Sequence, residues 1–358
     1  MSHSQHRGSQ VGRPRARQLP AAPVVIVLLV AIPLSIAAAT GIGASDVPIS
    51  EVISVIVNRL NHAGAPNVAD TIVWNIRLPR VLLAAIVGAG LSLAGTIIQT
   101  LVRNPLADPF LLGISSGAGM GASAVITLGV FGAAGLWALS LGALVGSLTA
   151  AALVFGITLL QGGLTPLRLV LTGTVLSSAF SSVSSCLIFR SAEPQAAQSV
   201  LFWLLGSLSG ADWSKLLLPF LAVVLAHGVA QAAAGWLDAL ATGVDAALSL
   251  GVPVRQLRVL LFVLQSGLVG VVVAVSGGIG FVGLVVPHMA RILVGARHRS
   301  MLPVSLLLGA FLMIWVDAAA RATAAPMEVP LSVVTGLVGA PVFLLLLGRR
   351  RYRFGDES

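Results

Sequence analysis

Apolar residues run through this chain in long unbroken stretches instead of the mixed rhythm of a soluble fold. Stretches of helix-forming length fall at about 23–44, 79–102, 113–131, 136–160, 167–189, 213–235, 257–276, 303–321 and 330–348. Each is about twenty residues, enough to cross a hydrocarbon core of roughly 30 Å as a helix. A shorter one, at about 280–295, has to be shielded by neighbouring helices to cross. The pattern therefore predicts an all-α membrane protein with about ten transmembrane helices. Residues 21–350 form the single membrane domain, 1–20 a flexible basic tail and 351–358 a second tail. Segment 46–60 differs, placing its apolar residues at helical spacing after a potential Asp46 cap, which predicts a helix lying on the surface. Segment 195–210 reads as a short interfacial or re-entrant helix. A β-barrel would need short alternating strands, and none are seen.

Composition sharpens the choice of solvent. Hydrophobic residues make up 57% and charged residues 9%, with a mean hydropathy of +0.99. A soluble domain carries about a quarter charged residues, so lipid must cover much of this surface. The 39 glycines, among many Ala, Ser and Thr, suit close helix–helix approach. The single cysteine, Cys186, has no intrachain disulfide partner and reads as a small core side chain. The net charge of +9 is distributed by topology. With the N-terminus inside, inner segments collect Arg7, Arg13, Arg15, Arg17, Arg103, Arg168, Arg255, Arg258, Arg291, Arg297, Arg299, Arg349, Arg350, Arg351 and Arg353. The outer side keeps Arg59, Arg77, Arg80, Arg190, Lys215 and Arg321, so the ratio is fifteen to six. That positive-inside bias puts both termini in the cytoplasm and makes a nucleic-acid footprint unnecessary.

Two catalytic patterns occur by accident. Gly113-Ile114-Ser115-Ser116-Gly117 fits a nucleophile elbow but lacks a strand–turn–helix setting. Gly113, Gly117 and Gly121 read instead as one packing face. Gly278-Ile279-Gly280-Phe281-Val282-Gly283 fits a dinucleotide fingerprint without a βαβ unit, and is expected to be a tight turn. The histidines do not cluster at ligand spacing, and His288 is expected to cap or pack. Asp317 is the one acid deep in a helix. With Arg321 one turn later it reads as an i,i+4 pair, the alternative being an ion pathway. No catalytic or metal site is expected. No Walker A sequence is present, so ATP-driven transport would need the ATPase on another polypeptide.

Several stretches carry more than composition: Arg77-Leu78-Pro79-Arg80; Arg103-Asn104-Pro105-Leu106-Ala107-Asp108-Pro109 followed by LLGISSGAG; Phe202 to Leu208; Ser249-Leu250-Gly251-Val252; Ile279 to His288; and Glu328-Val329-Pro330 with Gly339-Ala340-Pro341. Together, from about residue 23 to 350, they resemble the permease family of type II ABC importers for iron–siderophores, haem and vitamin B12. The resemblance implies a multi-pass subunit of a prokaryotic cytoplasmic membrane and a vitamin B12 importer permease-like fold. Its implied partners are a second permease subunit (identical or paralogous), two cytoplasmic ATPases that use ATP and Mg, and an extracytoplasmic binding protein. The chain itself would bind no cofactor and catalyse no reaction.

Residue roles follow from the same resemblance. Arg77, Arg80 and Arg321 match arginines that dock the binding protein, with interfacial anchoring the alternative for the first two. Asp238, Gly243, Asp245, Ser249, Leu250 and Gly251 fall in the stretch that rests on the ATPase, although Asp238 and Val244 stand where the family has Asn and an acid. Asn104 and Leu106 match a cytoplasmic gate, with Pro166 and Leu167 in place of small hydroxyl residues at its other part. The cargo implied is an iron–siderophore complex, with haem or vitamin B12 as alternatives. A secondary transporter, the reading from another class, would show inverted repeats and midplane acids.

Overall fold

The computed structural model describes residues 18–43, 47–61, 68–191, 193–324 and 327–349. Most of the predicted tails and the predicted cap Asp46 lie outside the described residues. Among these residues every regular element is helical. The first half of the chain forms α1 Ala21–Gly41, α2 Ile49–Leu60, α3 Val68–Asp70, α4 Leu78–Leu101, α5 Ile114–Leu128, α6 Ala138–Leu160 and α7 Pro166–Arg190. The second half forms α8 Pro194–Leu204, α9 Leu217–Ala232, α10 Ala234–Thr242, α11 Val244–Ser249, α12 Val254–Ser276, α13 Val282–Val294, α14 His298–Ala322 and α15 Leu331–Arg349. Seven helical spans are long and apolar enough to cross a membrane, and three shorter apolar helices, α5, α13 and α15, accompany them.

The core is built around α4, which α9, α12, α13 and α14 enclose. Its small residues make this possible. A Cβ on Gly88 would lie 2.2 Å from the Gly309 carbonyl on α14, and one on Gly95 would lie 1.9 Å from the Gly283 carbonyl on α13. Hydroxyls join the α4–α14 contact, with Thr96 Oγ1 donating to Ser305 Oγ at 3.2 Å. Close backbone approach of this kind replaces the hydrophobic drive that lipid removes. The expected glycine face on α5 is present in part. Gly117 and Gly121 meet Gly146 and Gly142 of α6, whereas Gly113 takes a φ of 75° at the start of α5 and faces Gly173 of α7.

One boundary differs from the sequence expectation. The helix expected from about residue 79 begins at Val68 and continues for 34 residues. It passes through a π-helical stretch, Thr71–Arg77, before α4. Pro79 explains the widened register, because it has no N–H to donate back along the helix. The Trp74 carbonyl, one π-turn earlier, accepts instead from Trp213 Nε1 at 2.9 Å. The expected surface helix is α2, buried only through Val52 and Val55, which pack on Val73. The expected turn before α13 is also present, with Phe281 at a φ of 67°.

Candidate functional site

Polar side chains concentrate at the two ends of the bundle and along α7. At the end where α1 finishes and α4 begins, called distal here, Asp317 of α14 is fully buried. Its Oδ1 accepts from Arg80 Nε at 2.8 Å and its Oδ2 from Arg321 Nε at 2.9 Å. Arg80 also donates to Glu328 in the segment before α15. Arg321 donates to the carbonyls of Ala39, at 2.9 Å, and Ile42. Arg77 donates to those of Gly41, at 2.9 Å, and Thr40, at 3.3 Å. Two guanidinium groups thus cap the C-terminus of α1, where carbonyls lack helical partners and the dipole favours cations.

The sequence grouped Arg77, Arg80 and Arg321 as docking residues. The structure brings them together, but inward: their exposures are 7, 6 and 7%. The expected Asp317–Arg321 pair is there, and Arg80 and Glu328 extend it.

At the opposite, proximal end, the predicted coupling stretch forms α10 and α11. They break at Gly243, whose φ of 147° and ψ of 158° favour glycine. Asp245, Ser249, Leu250 and Gly251 are exposed there. Asp238 is only half-exposed and turns toward the body. Its Oδ1 accepts from the His298 backbone N at 2.9 Å and from His298 Nδ1 at 2.6 Å, and His298 Nε2 lies 2.8 Å from Thr100 Oγ1 on α4. Sequence alone could not have paired residues 60 and 198 positions apart.

The gate candidates sit at this end, on the loop after α4 and in the first turn of α7. Asn104 and Leu106 are exposed, and Asn104 Oδ1 accepts from the Leu106 N at 2.9 Å, holding a tight turn after Arg103. Arg103 itself has a φ of 54°. Pro166 opens α7 behind the Thr165 cap, and Leu167 is 68% exposed. The loop after Leu106 is tied down by Asp108, whose Oδ1 accepts from the Phe110 N at 2.9 Å. Burial pushes the Asp108 carboxyl up, and this hydrogen bond opposes the shift.

The α7 helix carries a feature the apolar-run reading passed over. Thr174, Ser178, Ser181, Ser182 and Ser185 form an exposed hydroxyl stripe at helical spacing. Thr174, Ser178, Ser182 and Ser185 each donate to the carbonyl four residues back, at 2.9–3.2 Å. The signal was in the sequence as period-3.6 hydroxyls, but long apolar neighbours masked it. Cys186 lies beside them and is exposed, which corrects its assignment to the core. It falls on a helix most of whose surface the rest of the chain leaves uncovered.

A helical bundle with a buried charged cluster at one end, an exposed amphipathic helix pair at the other and a hydroxyl-lined outward face is the architecture of a membrane transport subunit. The chain belongs to the FecCD transport family, which residues 27–349 match. It is similar to the hemin transport system permease protein HmuU of Yersinia pestis, 43% identical over 284 residues, or 78% of this chain and 84% of that protein. It is also similar to the molybdate import system permease protein MolB of Haemophilus influenzae, 36% identical over 307 residues, or 86% and 90% of the two chains. The solved structure of a metal-chelate type ABC transporter in an inward-facing conformation matches with a TM-score of 0.79 at 33% identity. That match covers 92% of this chain and 100% of the other. The protein is an ABC importer permease of the FecCD type.

Proposed function

We propose that the chain is the membrane-spanning subunit of an importer for an iron–siderophore complex. It crosses the cytoplasmic membrane ten times with both termini inside, α5, α13 and α15 joining the seven longer spans. Two permease subunits, identical or paralogous, enclose the pathway. Two ATPases using ATP and Mg seat beneath α10 and α11, and the binding protein docks over the distal rim. Because Arg77, Arg80 and Arg321 are bound within the chain, their part in docking is to hold that rim in shape. Asn104, Leu106, Pro166 and Leu167 narrow the pathway at the cytoplasmic side.

The observation that carries this reading is the hydroxyl stripe of α7. Lipid solvates such a face poorly, and its back-bonded hydroxyls keep acceptor lone pairs for weak contacts. A chelate that arrives with its iron fully ligated needs only such a passage. Hemin is the second reading, favoured by the name of the 43% identical relative.

The test is uptake of radiolabelled ferric siderophore, hemin, cobalamin and molybdate in cells with and without the gene. Loss of ferric siderophore uptake alone is expected. Loss of another cargo with ferric siderophore import intact would overturn the substrate and leave the permease assignment standing.

A further inference from the structure

The proximal end holds a hydrogen-bonded chain that the family membership does not account for. It starts on α10, in Asp238, whose side chain is 40% exposed. It passes through His298, at the first residue of α14 and 3% exposed, and ends at Thr100, 4% exposed, in the last turn of α4. An ionised carboxylate only accepts, so Nδ1 of His298 carries the hydrogen toward Asp238. Nε2 of the neutral ring then faces the Thr100 hydroxyl, whose one hydrogen is shared between Nε2, at 2.8 Å, and the Thr96 carbonyl, at 3.0 Å. The same carboxylate caps the backbone of α14. The chain thereby ties α10 to the start of α14 and the end of α4 at once. The end of α4 leads directly into the loop that carries Asn104 and Leu106. Neighbouring contacts keep that loop in step: Gln99 lies beside Thr100, and its Nε2 donates to the carbonyl of Ala107 at 3.4 Å.

We propose that Asp238, His298 and Thr100 form the linkage that passes ATPase movement from the coupling helices to the cytoplasmic gate. This rests on α10 and α11 being the ATPase seat. His298 is a positioning residue: it touches neither nucleotide nor cargo, and acts by making α10, α14 and α4 move as one body. A mere staple would stabilise the fold without any response to nucleotide, and that difference is measurable.

The experiment uses the full permease–ATPase complex in nanodiscs, in a Cys186→Ser background with Leu106→Cys as reporter. The labelling rate of the reporter by a hydrophilic maleimide is compared without nucleotide and after trapping with ATP and vanadate. In the reference complex the rate is expected to change on trapping. His298→Ala keeps the Asp238 cap on α14 but cuts the side-chain bridge, and Thr100→Val cuts it isosterically. Both are expected to weaken the nucleotide effect by up to roughly tenfold in the underlying equilibrium, the size of one hydrogen bond. Asp238→Asn retains an acceptor and is expected to respond like the reference, whereas Asp238→Ala is not. Gln231→Ala, which removes a neighbouring bond from α9 to the Arg299 carbonyl, is expected to leave the response unchanged. If His298→Ala does not assemble, Thr100→Val decides. A reference-like response in Thr100→Val and in any assembled His298→Ala complex overturns the linkage alone. A reference complex in which trapping changes nothing overturns the ATPase-seat reading and the linkage with it.

Discussion

Replacing Asp317 by Asn tests whether the distal charged cluster holds the fold together. The substitution keeps the shape of the side chain and removes its charge. Asp317 is 0% exposed and serves two arginines, one on each oxygen, at 2.8 and 2.9 Å. Removing one member of a buried ion pair costs about 3–5 kcal/mol, because the partner stays behind desolvated. Two hydrogen bonds to a charged group, at about 1.5–3 kcal/mol each, give a similar figure. Both arginines keep other acceptors, however: Arg80 has Glu328, and Arg321 has the carbonyls of Ala39 and Ile42. The expected loss is therefore at the low end, about 3 kcal/mol, or roughly a hundredfold in the folding equilibrium. Reversible unfolding in bicelles by steric trapping, followed by tryptophan fluorescence, measures it. Adding Arg321→Gln to Asp317→Asn should cost less than the two single changes summed, since the second removes a charge the first has stranded. A single-variant loss under about 1 kcal/mol, or strict additivity in the double variant, would show that the cluster is solvated or plastic and that burial has been given too much weight.

Two further changes probe packing and local electrostatics. Gly95→Ala should abolish accumulation of folded protein, measured by fluorescence-detected gel filtration, because its Cβ would meet the Gly283 backbone. Gly243→Ala, with open space around it, should cost only backbone strain, about 1–3 kcal/mol. Asp108→Asn keeps an acceptor for the Phe110 N–H while removing a buried charge whose pKa is raised. Its effect should be neutral to mildly stabilising at pH 7, whereas Asp108→Ala should lose about 1 kcal/mol of cap, both read from thermal melts in detergent.

Hydropathy sufficed to find every long helix, because a lipid-facing surface leaves few other sequences possible. The α13 stretch was legible even at 13 residues, since its neighbours shield it. What stayed hidden were contacts between distant residues. The Asp317–Arg321 pair lies within one helical turn and shows in sequence, but Arg80 reaches Asp317 across 237 positions. The resemblance to family arginines suggested an outward role for it. Likewise, Asp238 looked like one more exposed residue of the coupling stretch until His298 was found against it. The early start of the helix at Val68 was concealed by Pro79, which normally signals a first turn and here sits after a π-helical one.

The exposed stripe on α7 also bears on how the protein is made. A lone subunit leaving the translocon would present five hydroxyl groups and Cys186 to acyl chains. Such an orphan is a natural client for membrane proteases that survey poorly solvated helices. Its lifetime in the bilayer would then depend on how soon another polypeptide covers that face.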